Sequence, residues 1–92
     1  MMGMLMGREE IGTVFHYYSK AGAAAIQLTA GELAVGDTIM IEGASTSITM
    51  EVESIQIEHQ SVQKAAAGQN VGIKVPERAR QGDKVYKVEP TP

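Results

Sequence analysis

His16 and His59 are the side chains of this sequence best suited to move a proton near neutral pH. His16 stands inside Ile11-Gly12-Thr13-Val14-Phe15-His16-Tyr17-Tyr18, a β-branched and aromatic run that reads as a strand. That placement predicts a wall histidine rather than a catalytic one. His59 follows Glu58 at the end of an extended stretch. Neighbours on a strand point to opposite faces, so the two are not expected to act as an acid–base pair. Two separated histidines match no zinc-ligand spacing. A cysteine count of 0 removes disulfides, thiolate metal sites and thiol nucleophiles together. Gly68-Gln69-Asn70-Val71-Gly72 lacks the Lys-Ser/Thr pair of a phosphate-binding loop. Ser45, Ser47, Ser54 and Ser61 have no nucleophile-elbow context. The expectation is a chain that is not an enzyme by itself, with no metal and no cofactor.

Binding chemistry leaves more to work with. The 8 basic and 11 acidic residues give a net charge of −3 and a pI near 5.3, so the basic footprint usual for nucleic-acid domains is missing overall. The charges are unevenly spread. Up to Gln60, Arg8 and Lys20 face eight acids, a net of −6; from Ser61 onward six bases face three acids, a net of +3. Lys64, Lys74, Arg78, Arg80, Lys84 and Lys87 are therefore candidate phosphate contacts, with Gln69 and Asn70 as amide and backbone donors. Stacking on bases needs exposed rings. Phe15, Tyr17, Tyr18 and Tyr86 are the rings available, and at least one of Tyr17 and Tyr18 should point outward.

These residues must be carried by short strands. Hydrophobic residues make up 43% of 92 residues, enough for one small core and one domain. Mean hydropathy is −0.09, and no apolar run reaches the ~18 residues of a membrane span. Residues 1–10, rich in methionine, are expected to be a flexible leading segment or an appended remnant. They carry no targeting signal, so a cytoplasmic location is the default. Residues 11–88 form the domain, and 89–92 a tail. Strands are expected at Ile11 to Tyr18, Ala23 to Leu28 and Thr38 to Glu42, then over a long stretch from Ser45 to Glu58. Further strands follow at Ser61 to Ala65, Val71 to Val75 and Lys84 to Val88. Thr29 to Gly36 reads as a loop with one helical turn. Within the long stretch Ile48, Met50 and Val52 alternate on even positions, then Ile55 and Ile57 on odd ones. A regular strand cannot change phase, so a β-bulge is expected near Glu53-Ser54. Gly36-Asp37 and Gly82-Asp83 read as one turn device used twice. Six or seven short strands without a convincing helix predict an all-β domain, a small barrel or sandwich, with closure favoured because it removes edges.

Five segments in order carry a resemblance: Ile11-Gly12-Thr13-Val14, Leu33 through Ile39, Val52-Glu53-Ser54-Ile55, Ala67 through Ile73, and Gly82-Asp83-Lys84-Val85. Together they resemble the second domain of translational GTPases such as elongation factor Tu. His16-Tyr17-Tyr18 and the string from Glu51 to His59 are closer still to small elongation-factor-like proteins, and similar to the C-terminal barrel of collagenase-like peptidases. The resemblance implies a closed Greek-key β-barrel. In elongation factors that barrel packs on a GTPase domain and helps hold the acceptor end of tRNA. The stretch from Met4 to Glu10 departs from the pattern, and Gln69 stands where an acid is common. Two functions follow as expectations. One is a translation-linked module binding tRNA or ribosomal RNA through the basic residues above. The other is a protein-interaction barrel that docks on a GTPase or peptidase-like partner through exposed apolar or aromatic residues such as Tyr17 or Tyr18, with no nucleic acid.

Overall fold

Alternating apolar residues, punctuated by glycine turns, become strands in the computed structural model, which describes residues 8–88, the Arg8 side chain excepted. The expectations for the segment through Gly7 and for the tail from Glu89 lie outside the described residues. Among the described residues the strands are β1 (Arg8–Tyr18), β2 (Ala23–Leu28), β3 (Glu32–Ala34), β4 (Thr38–Glu42), β5 (Ser47–Glu51), β6 (Ile55–Ile57), β7 (Gln60–Val62), β8 (Lys64–Ala66), β9 (Asn70–Lys74) and β10 (Lys84–Val88). There is no helix among them, so none is long and apolar enough to cross a membrane.

Eight strands pair in the order β5-β4-β10-β1-β2-β9-β6-β7, and β3 pairs β8 in a second sheet. Every ladder is antiparallel. In a flat sheet β5 and β6 would lie about 29 Å apart, six strand spacings. Only residues 52–54 join them in the chain, a link that spans about 14 Å at most. The sheet must therefore curl. The even-to-odd change of phase sits at this link, as a passage from one ladder to another. The difference from the expected bulge has a plain cause: Val52 still bonds to β4's approach, its N–H donating to Asp37 O and its carbonyl accepting from Gly36 N, each at 2.8 Å, while Ile55 already pairs with Val62.

The bulges lie instead in β1, between Glu10 and Gly12 against β10 and between Val14 and His16 against β2. The second inserts Phe15, so Val14 and Tyr17 face inward while His16 and Tyr18 face out. β1 also starts at Arg8, ahead of the expected Ile11. Thr29 to Gly36 holds no helical turn; Glu32–Ala34 pairs with Lys64–Ala66 and seals Leu33 completely. Leu33 and Ala65 of the small sheet share one core with Ile11, Ile26, Ile39, Ile41, Ile55 and Ile73 of the large one.

The paired Gly-Asp turns are one device, as read from the sequence. Gly36 (φ 99°) precedes Asp37, whose Oδ2 accepts from Ala34 N at 2.8 Å; Gly82 (φ 95°) precedes Asp83, whose Oδ2 accepts from Arg80 N at 2.8 Å. A third copy follows Gly68 (φ 95°), where Gln69 Oε1 accepts from Ala66 N at 2.8 Å. The amide oxygen takes the place of the carboxylate. Each turn also closes with a backbone bond from its fourth residue to its first.

Candidate functional site

A groove of about 610 Å³ runs over the outer face of β1, β2, β9 and β6. Its floor is made of small residues that the ladders set side by side: Ala25 opposes Gly72, Ala23 opposes Lys74, and Gly72 opposes Gln56. One wall is Phe15 and Tyr18, 40% and 51% exposed, the large hydrophobics left open to solvent among the described residues. The β1 bulge puts both there. His16 meets Tyr18 edge-on, ring centroids 4.4 Å apart at 65°. His16 is thus an exposed residue of the outer wall.

The opposite wall is Gln56, Glu58 and His59. Glu58 (φ 51°) and His59 (φ 67°) are the two central residues of the β6–β7 hairpin, closed by the Ile57–Gln60 pair. Positive φ at both marks a type I′ turn, normally built with Asn and Gly. The strand geometry expected for them is therefore replaced by a turn, and both side chains border the groove rather than opposite faces. The sequence signal was hidden because neither residue favours a left-handed backbone. Lys20, in the β1–β2 turn, and Lys74 close one end of the groove; Asn70 lies at the start of β9. Neither lysine has an ion-pair partner among the described residues.

The candidate nucleic-acid residues are spread over both sheets and the connections between their strands. Lys64 pairs in register with Ala34, close to the turn where Lys87 Nζ meets Asp37 Oδ2 at 3.3 Å and Glu32 O at 3.3 Å. Lys74 opposes Ala23, Lys84 opposes Glu42, and Arg78 and Arg80 lie in the connection between them. Several already have work within the fold. Lys84 Nζ sits 3.5 Å from Glu10 Oε2, both about half exposed, and the Arg78 guanidinium lies 5.9 Å from the Tyr17 ring centre. Gln69 ties its own turn. Asn70 and Lys74 alone of the eight border the groove. Tyr17 packs on the core, and Tyr86 is half-buried. No group of three or more metal-binding side chains forms among the described residues.

The C-terminal domain of a Geobacillus thermoleovorans protein assigned to the U32 peptidases superposes with a TM-score of 0.79, covering 86% of this chain and 91% of that one at 24% identity. The fold is that of a U32 peptidase C-terminal domain. A collagenase of Porphyromonas gingivalis is 39% identical over 80 residues, 86% of this chain and 22% of its own length. An uncharacterised protease of Methanocaldococcus jannaschii is 42% identical over 83 residues, 89% of this chain and 20% of its own. The chain spans about a fifth of the length of these curated relatives. Elongation factor 1-alpha of Pyrococcus horikoshii is 37% identical over 65 residues, 63% of this chain. No protein-family model matches. The peptidase-like side of the resemblance is the better supported one; the translation-factor side has the shorter match.

Proposed function

We propose that this domain is a non-catalytic protein-docking module that works beside a peptidase-like partner, on a closed Greek-key β-barrel. The curl required between β5 and β6 supports closure. The groove carries the docking reading: two exposed aromatic rings stand over a floor of Ala23, Ala25 and Gly72, with polar side chains on the far wall. Exposed rings beside a well-formed hollow are the usual anchors of a protein interface. The peptidase relatives match over most of this chain, which supports the choice of partner. RNA binding through the basic residues has less behind it. Lys84 and Lys87 are answered by acids, Gln69 is engaged in its turn, and Lys64 stands on the small sheet while Lys74 stands on the large one.

A graft tests the reading. The matching segment of the M. jannaschii protease is replaced by this chain, and thermal unfolding of the graft is compared with that of the isolated chain. Joining in one polypeptide supplies an effective concentration of order millimolar, so even weak docking registers. The barrel is expected to unfold at a higher temperature in the graft, and Tyr18→Asp should remove that gain. Independent unfolding of the barrel at its isolated midpoint, or salt-dependent binding of bulk tRNA by the isolated chain, overturns the proposal.

A further inference from the structure

We infer that the groove seats an extended, proline-containing segment of the partner that carries an acidic residue, which rests on the docking reading above. The floor is the face of paired strands. Backbone N–H and C=O groups point within the plane of a sheet, here into the β2–β9 ladder and the Gln56–Gly72 pair, so a partner strand does not add by main-chain pairing onto this face. The walls stand on β1 and β6, three strand spacings or about 14 Å apart between backbones in a flat sheet. A helix spends its carbonyls on its own backbone, so it would leave the polar donors of the groove unanswered.

A polyproline-type segment fits the chemistry. It has no internal hydrogen bonds, so its carbonyls need outside donors. The Gln56 and Asn70 side-chain amides border the groove without a partner among the described residues. Proline rings pack well on aromatic faces such as Phe15 and Tyr18. Charge supplies the remaining term. Lys20 and Lys74 share one end of the groove unpaired, whereas Lys84 and Lys87 are answered by Glu10 and Asp37. A carboxylate on the occupant completes them. The Glu58-His59 turn fits the same picture: its left-handed backbone is an energetic cost, and it brings two polar side chains to the groove's far wall.

Fluorescence anisotropy with labelled peptides tests this. The probes are a proline–glutamate repeat, its proline–lysine counterpart and a helical alanine–glutamate peptide. The proline–glutamate probe should bind best. Gly72→Leu should weaken it by at least about tenfold by filling the floor. A Cβ at Gly72 meets nothing closer than Gln56 O at 4.0 Å, so the variant is expected to fold, and its melting curve verifies that. Lys20→Glu with Lys74→Glu, two exposed positions, should reverse the preference toward the proline–lysine probe. Equal binding of the two proline probes, tighter binding of the helical one, an unaffected Gly72→Leu variant or no binding at all overturns the inference. If the graft shows Tyr18-dependent docking while the peptides fail, the occupant is wrong and the docking reading stands. If the peptides bind while the graft unfolds independently, the choice of partner is wrong.

Discussion

Replacing Glu58-His59 with Asn-Gly should make the protein more stable while removing two side chains from one wall of the groove. Both residues hold positive φ, 51° and 67°, and both are exposed, with no hydrogen bond or ion pair from their side chains among the described residues. An L-residue in the left-handed region pays roughly 1–2 kcal/mol, which asparagine lowers and glycine removes. Taking about 1 kcal/mol of relief at each site, and subtracting about 0.4–1 kcal/mol for the freer unfolded chain that glycine brings, leaves a net gain of about 1 kcal/mol. For a domain of this size that raises the melting midpoint by about 4–8 °C. Thermal unfolding followed by circular dichroism, together with a urea titration, measures it. The m-value should not change, because the same surface is buried. A midpoint that stays put or falls would refute the reasoning, since it would mean that the turn is unstrained or that the two side chains stabilise the fold. The same variant should bind the proline–glutamate probe more weakly, which would separate the stability of the turn from its use.

Two further outcomes test the fold. A Cβ on Gly12 would lie 2.5 Å from Gln27 O and 3.1 Å from Ile26 Cγ2, so Gly12→Ala should lower stability by about 1–3 kcal/mol, while Gly72→Ala, at the open floor, should stay within about 0.5 kcal/mol; urea midpoints of the two variants compare them. Gln69→Ala should cost about 1 kcal/mol and speed exchange of the Ala66 amide hydrogen, whereas Gln69→Asp should keep that protection, because Asp37 and Asp83 make the same bond in their own turns.

What could be read in advance follows the range of the interactions. The Gly-Asp turns were legible because turn and bond lie within four residues. The third copy carries no such signal, because its acceptor is the amide of Gln69. β3 has no local signature, because three residues show little alternation and their partner, Lys64–Ala66, is some thirty positions on. The hairpin at Glu58-His59 was hidden by residue types that seldom take positive φ. Two bulges in β1 left no trace in a run of β-branched and aromatic residues that alternation alone makes regular.

Composition and local pattern were enough to establish an all-β domain with one core and to remove cysteine chemistry. They also named the rings and cations from which a binding surface had to be made. Only the folded sheet decided which of them meet. Period-two geometry says which residues share a face of one strand, but a bulge shifts that assignment by one position, and cross-strand neighbours depend on ladders closed between distant segments. Phe15 and Tyr18 face the same groove as Lys20, Lys74 and the Glu58-His59 turn because the β1 bulge and the β2–β9–β6 register bring them there.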